Sequence, residues 1–348
     1  MSSRDTARPT ESSLLARRDA HSGCRVSVIV PTRNRHALLE RMLMCMRSQS
    51  FGEFEVIVVD DGSDAASRQA CADSLARLDG RFRVIELGTA GGPGYGPSIA
   101  RNTGIDAATG DIITFCDDDD LWTGDTHLAA MVDVFDSRPE VDLYIANQSA
   151  VSHLGTTERA DWLPALVGMV AGRPRTHAHG YRIALDELVR AGGFAQLNIL
   201  ALRRTTAQAI GGFWTRTSYE EDRDFFWRAA DAARAVFFNP DVVAQHNVPD
   251  PSRQNNLSRR FSEAERWLLS ALVSQHIAMK VDSTAIRALC LSYEGDILRR
   301  LSRHWSSEGK HALGWQYARR ALAARVSLKW ALYTAALGCR QLLRKGQA

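Results

Sequence analysis

Three times between residues 26 and 108 a short apolar run gives way to a polar loop and then to a stretch of helical spacing, and a fourth run at 111 to 116 closes the series. That alternation leaves few folds open. Val26-Ser27-Val28-Ile29-Val30 is closed by Pro31, and Ala37-Leu38-Leu39, Met42-Leu43 and Met46 then follow a helical period. Phe54-Glu55-Val56-Ile57-Val58-Val59 predicts a second strand, broken by Asp60-Asp61-Gly62-Ser63 before helical spacing over 65 to 78. A third strand at 82 to 87, a Gly/Pro-rich loop at 88 to 97 and a helix at 98 to 108 lead to the fourth strand. Strands that alternate with helices and are apolar enough for burial on both faces predict a parallel α/β sheet of Rossmann-like type, flanked by helices. Ligands of such sheets bind beyond the carboxyl ends of the strands. Three loops hold that position: Pro31-Thr32-Arg33-Asn34, Asp60-Asp61-Gly62-Ser63 and Asp117-Asp118-Asp119-Asp120.

Elements from 141 to 247 look irregular, with a strand predicted at 141 to 146 and a helix at 203 to 210. Four further segments, 262 to 279, 284 to 303, 310 to 324 and 327 to 344, have helical periodicity and predict a C-terminal α-helical bundle. The expected organisation is an arm (1 to 24), a catalytic α/β domain (25 to 258) and a helical domain (259 to 348). Charge follows this division. Residues 259 to 348 carry 16 Lys/Arg against 6 Asp/Glu, a balance of +10, which leaves −7 for the remainder of a chain whose net charge is +3. Apolar residues make up 45% of the chain, yet no run approaches a membrane span. Arg17-Arg18 is followed by Asp19 and His21 instead of an apolar segment, so no twin-arginine signal is expected and a cytoplasmic protein is. Six dispersed cysteines, without a CxxC pair or histidines at zinc-finger spacing, are read as reduced thiols.

Four consecutive aspartates at a strand end repel one another unless a cation neutralises them. Hard oxygen ligands suit Mg²⁺ or Mn²⁺, which are typically held by one or two carboxylates and substrate phosphates.

With these loops go Ala100-Arg101-Asn102-Thr103-Gly104, Thr109-Gly110-Asp111, Phe115-Cys116 ahead of the aspartates, Leu121-Trp122 after them, Gly211-Gly212-Phe213 and Glu220-Glu221-Asp222. In this order, over roughly residues 25 to 250, the motifs resemble those of family 2 glycosyltransferases with the GT-A fold. The resemblance implies inverting transfer of a sugar from a UDP-, dTDP- or GDP-linked donor to a hydroxyl acceptor: a glycan, a glycolipid or a small molecule, as in polysaccharide biosynthesis. It places Pro31, Thr32, Asn34, Asp60, Asp61, Arg101 and Asn102 at the nucleotide, and Asp117 and Asp119 at an Asp-x-Asp metal motif. Asp118 and Asp120 add charge, so the metal-binding pair is left open between Asp117 and Asp120, with Asp118 also at the donor. It puts the general base in the Glu221-Asp222 pair, with Asp222 first and Glu221 second, because Glu220 makes the register ambiguous by one residue. A His after an apolar stretch, His246, is implied at the metal or diphosphate, and Arg253 at the diphosphate.

Two alternatives stand beside the enzyme reading: a non-catalytic nucleotide-sugar-binding scaffold, and a sugar nucleotidyltransferase, whose Gly-rich activating loop is absent from residues 26 to 36. For the basic helices the open options are packing on the catalytic domain, a homodimer or partner contact, and peripheral contact with the inner face of the cytoplasmic membrane. No nucleic-acid motif is found.

Overall fold

The structure, a computed structural model, describes residues 23–248 and 261–345. β1 (Val26–Thr32), α1 (His36–Arg47), β2 (Phe54–Asp60), α2 (Ala65–Ala76), β3 (Phe82–Glu86), α3 (Pro97–Ala107) and β4 (Ile112–Phe115) follow the predicted alternation. Then come β5 (Leu121–Trp122), α4 (His127–Ser137), β6 (Leu143–Val151), β7 (Thr157–Arg159), α5 (Pro164–Val170), β8 (Tyr181–Ile183) and α6 (Leu185–Ala191). A single 3₁₀ turn (Leu197–Ile199) precedes β9 (Leu200–Arg203), α7 (Arg204–Ala209), α8 (Glu221–Ala232) and β10 (Val236–Asn247). The strands form one sheet of order β3-β2-β1-β4-β9-β6-β10-β5, with β7 beside β6 and β8 beside β10. β1 to β4 are parallel, and β9 runs antiparallel to both β4 and β6. The sheet is therefore mixed, as the GT-A resemblance implies.

Two local expectations change. Pro31 does not close β1. The neighbouring β4 pairs only as far as Ile29, opposite Phe115, so at Pro31 the strand is paired on its β2 side alone and a residue without N–H is tolerated there. The region from 141 to 247 is regular after all, but β7, β8 and β9 are too short to show a period.

The parallel half is pinned by a buried carboxylate. Glu55 Oε1 accepts Ser27 Oγ (2.7 Å), Thr109 N–H (2.8 Å) and Thr109 Oγ1 (2.6 Å), while Oε2 takes Arg83 Nη2 (2.9 Å). Gly110 N–H donates in turn to Ser27 Oγ, and a Cβ on Gly110 would lie 2.8 Å from Ser27 N. The Thr-Gly-Asp motif is thus a close approach of backbones behind β1. Burial pushes the Glu55 carboxyl up, but the Thr109 and Ser27 hydrogen bonds and the Arg83 charge outweigh it and leave it lowered.

α9 (Glu263–Lys280), α10 (Thr284–Ser307), α11 (His311–Ala324) and α12 (Leu328–Lys345) match the four predicted helices. α9 opens on a capping box between Ser262 and Glu265. Val273, Ile277, Val281, Ile286 and Cys290, from α9, α10 and the link between them, are buried in the main core, while Ala271, Ile297, Leu301, Ala318 and Trp330 build a second cluster further out. The first two tail helices belong to both cores. Among the described residues no helix is long and apolar enough to cross a membrane.

Glu55 provides a test of the sheet. A group whose folded pKa lies below its unfolded value, about 4.3 for Glu, stabilises above that value and loses its contribution as pH falls through the folded pKa. Glu55→Gln should cost about 3 kcal/mol at neutral pH, as breaking a buried ion pair does. In thermal melts the Tm gap to the native chain should close progressively below about pH 4.

Candidate active site

The first two strand-end loops are stitched to each other and to the Gly-rich loop. Asn34, in the left-handed region (φ 54), donates its N–H to Ser63 Oγ and accepts Asp64 N–H on Oδ1, both at 2.8 Å. The buried Asp60 carboxylate accepts Ser63 N–H (2.8 Å) and Arg68 Nε (3.3 Å). The cap of α2 is Asp64, which accepts Ser67 N–H, so Asp60 and Asp61 serve the turn and not the helix. Asp61 takes Tyr95 N–H (2.7 Å) and Gly96 N–H (2.9 Å), and Arg33 Nη2 donates to Gly92 O (2.9 Å). A Cβ on Gly94 would fall 1.7 Å from Arg33 Nη1 and 2.7 Å from Asp61 Oδ2. The loop at 88 to 97 is therefore fastened at several points, and its glycines admit the side chains that fasten it.

In the aspartate quartet, alternate residues face opposite ways. Asp118 and Asp120 are 6% and 3% exposed, against 40% for Asp117 and 23% for Asp119. Thr32 Oγ1 donates to Asp118 Oδ2 (2.8 Å), and Arg35 Nη1 reaches both Asp118 Oδ1 (3.1 Å) and Asp119 Oδ2 (2.9 Å). Asp120 binds His246 Nδ1 (3.0 Å) and Asn247 N–H (2.8 Å), while Asn247 Nδ2 donates to Asp119 O (2.6 Å). Burial, then the Asp119 charge, pushes Asp118 up to about 7; burial pushes Asp120 up to about 6 against the pull of His246. Asp119 is raised by burial and by Asp117. For His246, burial pulls downward, but the hydrogen bond and charge of Asp120 with the charges of Asp119 and Asp117 leave it raised. Its Nε2 makes no hydrogen bond among the described residues.

Arg101 joins the quartet to the start of α8. It is 6% exposed, donates to Asp117 Oδ1 (2.7 Å) and Glu221 Oε1 (3.0 Å), and lies 5.4 Å from the Phe213 ring centroid. Burial opposes its charge; Asp117 and Glu221 overcome that and raise its pKa. The adjacent Asn102 is fully occupied elsewhere. Its Nδ2 donates to Phe213 O (2.9 Å) and its Oδ1 accepts Phe213 N–H (2.7 Å), and a Cβ on Gly212 would lie 2.4 Å from Oδ1. The Ala-Arg-Asn and Gly-Gly-Phe motifs are two sides of one latch.

Glu220 caps α8 from the left-handed region (φ 56). Its carboxylate is held by Arg223 Nη1 (3.1 Å) and by two tail residues, Ser270 Oγ (2.9 Å) and Tyr293 OH (3.2 Å). Further along, Asp224 pairs with His276 Nδ1 (2.6 Å) and with Arg228. Glu221 is taken by Arg101. Asp222 accepts only the Arg223 N–H (2.8 Å) and has no side-chain partner among the described residues. Burial, then the Glu221 charge, raises its pKa. The one-residue ambiguity of the Glu-Glu-Asp run thus corresponds to three different environments. Arg35, Ser270, Tyr293 and His276 carried no signal in the sequence, since each acts on a partner chosen by the fold. Arg253 lies outside the described residues.

A mixed sheet carrying such strand-end carboxylates and followed by a helix that starts with acidic residues is a GT-A type α/β architecture. Residues 27–195 match the model of Glycosyl transferase family 2. That match bears out the resemblance read in the motifs. EpsH of Bacillus subtilis strain 168, which bears a glycosyltransferase name, is 34% identical over 216 residues, 61% of this chain and 58% of EpsH. The chain thus spans less than two thirds of the length of EpsH, and a smaller share of the curated relatives next in similarity. In fold it is similar to Staphylococcus aureus TarS 1-349 in complex with UDP-GlcNAc, with a TM-score of 0.59 and 18% identity over 86% of this chain and 81% of TarS. It is similar too to the mannosyltransferase PcManGT of Pyrobaculum calidifontis in complex with GDP-Man and Mn²⁺, with a TM-score of 0.56 and 21% identity over 91% and 80% of the two chains.

By residue type the donor set suits a hard divalent cation, although among the described residues Asp117, Asp119 and His246 do not have their ligand atoms gathered within 4.8 Å of one another. Asp117 and Asp119 present the accessible oxygens, and a His whose Nδ1 is fixed by a carboxylate keeps Nε2 for a ligand. Arg35 is a protein cation in the same field. Arg35→Met should therefore tighten Mn²⁺ binding without nucleotide by at least about tenfold, or roughly 1.4 kcal/mol. Calorimetric titration decides this, and equal or weaker binding would show that Arg35 does not compete for these carboxylates.

Proposed function

We propose that the chain is a metal-dependent, inverting glycosyltransferase that moves a sugar from a nucleoside-diphosphate donor to a hydroxyl acceptor. The observation that carries this is the Arg101 bridge, which sets the accessible Asp117 beside an acidic helix start where Glu221 is occupied and Asp222 is left without a side-chain partner. UDP-GlcNAc on TarS and GDP-Man on PcManGT support a UDP-, dTDP- or GDP-linked donor. The acceptor class is a glycan, a glycolipid or a small molecule.

Asp222 takes the acceptor proton, the freed oxygen bonds to the anomeric carbon, and the bond from that carbon to the diphosphate oxygen breaks on the opposite face. A carboxylate whose pKa is raised toward neutrality suits this task, since an efficient base titrates near the working pH. Asp117 and Asp119, with Nε2 of His246, are the residues that would hold Mg²⁺ or Mn²⁺. When bound, the ion neutralises charge developing on the leaving diphosphate. Arg101 fixes Glu221, which leaves Asp222 the free carboxylate of the pair. Thr32 and Arg35 fix Asp118 beneath the metal pair. Pro31, Asn34, Asp60 and Asp61 shape the loops against which the nucleotide lies.

Asp119→Asn should abolish turnover and weaken donor binding in Mn²⁺, as followed by donor hydrolysis and calorimetry. Full activity of this variant, or of the native chain in chelator, removes the metal role.

Asp222→Asn should lower kcat by at least about 10² with donor affinity nearly intact, as loss of a general base does. The native rate should rise with pH through the elevated Asp222 pKa, because the base must be ionised. Glu221→Gln removes a like charge, so the same limb should move to lower pH while turnover persists. If Glu221→Gln is the inactive variant and Asp222→Asn is not, the base is the earlier residue.

A further inference from the structure

We infer that Asp133, His177 and His179 form a second metal site, for a Zn²⁺-type transition-metal ion, at the opposite end of β10 from the aspartate quartet. Asp133 lies on α4, and the two histidines stand on the turn that leads into β8. β8 pairs with Val236 to Phe238 at the start of β10, whereas His246 is near its end.

His177 Nε2 and His179 Nε2 lie 3.4 and 3.3 Å from the same oxygen, Asp133 Oδ2, and the three atoms all fall within 4.8 Å of one another. Bonds of about 2.0–2.1 Å from Zn²⁺ to N and O imply a tetrahedral edge of about 3.3–3.4 Å between ligand atoms. The two spacings match that edge. They are longer than the about 2.7–2.9 Å of charge-assisted hydrogen bonds. As an ion-pair cluster the arrangement is also unfavourable, because two imidazolium rings with centroids 5.4 Å apart would have to share one carboxylate. A metal needs both rings neutral.

The turn is built without the imidazoles. Thr176 and His177 N–H donate to Gly180 O (3.0 and 3.2 Å), and Gly180 N–H returns to His177 O (3.1 Å). Gly180 has φ +153, and a Cβ there would lie 2.2 Å from Phe238 O, which seats the turn against β10. Arg138, just after α4, donates to Thr176 O. His177 is 13% exposed and its ring stands edge-on to Phe237 at 6.0 Å. These contacts order the turn and the His177 ring before any ion arrives, which lowers the cost of binding.

Ser137 Oγ donates to Asp133 O (2.6 Å), so its 2.9 Å contact with His177 Nε2 is one in which the hydroxyl accepts. An ion selects the other neutral tautomer: the proton moves from Nε2 to Nδ1, Nε2 turns from Ser137 Oγ to the ion, and the long 3.4 Å contact of His179 N–H with Nδ1 is given up. Three protein ligands leave the fourth position to water, and the ion staples the turn to α4. Two imidazoles and one carboxylate favour Zn²⁺ over Mg²⁺ or Mn²⁺, in contrast to the oxygen-rich quartet.

Co²⁺, whose visible bands report low-symmetry N/O coordination, separates the two sites in the full-length chain. After chelator treatment, the Asp119→Asn protein should bind one equivalent with visible bands, lose them to Zn²⁺ and keep them in excess Mg²⁺. Zn²⁺ should also raise its Tm. The same protein with His177→Gln and His179→Gln should lose both responses. Asp133→Asn, at a half-exposed position that folding tolerates, should weaken binding at least about tenfold, as loss of a ligating group does. Absence of saturable Co²⁺ binding in the Asp119→Asn chain, or equal binding after the histidine or Asp133 substitutions, overturns the assignment.

Discussion

The buried guanidinium of Arg101 is the interaction on which the site depends. Taking a cation out of water costs several kcal/mol, and that cost is met only when well-placed carboxylates surround it. Here one comes from just after β4 and the other from the start of α8, and Arg101 on α3 takes both. Without the cation, Asp117, Glu221 and Asp222 would be like charges converging on one space. With it, the two acidic segments are set at a defined separation. The next residue, Asn102, closes the same joint mechanically through its paired bonds to the Phe213 backbone.

The aspartate quartet is arranged by the same economy. Thr32 and Arg35 satisfy Asp118, and His246 and Asn247 satisfy Asp120, so two carboxylates are consumed inside the protein to present the other two. An acidic run that looks redundant as a string is a structural pair interleaved with an accessible pair. The elevated pKa values of Asp118 and Asp120 express the burial that this demands.

Much of the architecture was legible because periodicity reports burial. The parallel strands, the helices between them and all four tail helices fall within a few residues of the predicted positions. β7, β8 and β9 were not legible, since three or four residues cannot display a period. For the site, residue types could be read but not their orientation. Thr32, Asp60 and Asp61 stand at the strand ends expected at the nucleotide and Asn102 in α3, and the fold gives each a partner within the protein. Arg35 sits next to a recognised motif yet becomes visible only when β1 brings it beside β4. Ser270, Tyr293 and His276 touch α8 across long stretches of chain, and nothing local in sequence announces such a contact.

The grip of α9 and α10 on Glu220 and Asp224 bears on how a chain of this kind can diversify. α8 lies beyond the family match, which ends at residue 195, and it is held both by Arg101 from within the match and by α9 and α10 from outside it. A change on that face of α8 would call for a matching change in the tail. A break at the change of composition near residue 258 would separate α8 from the helices that hold Glu220 and Asp224.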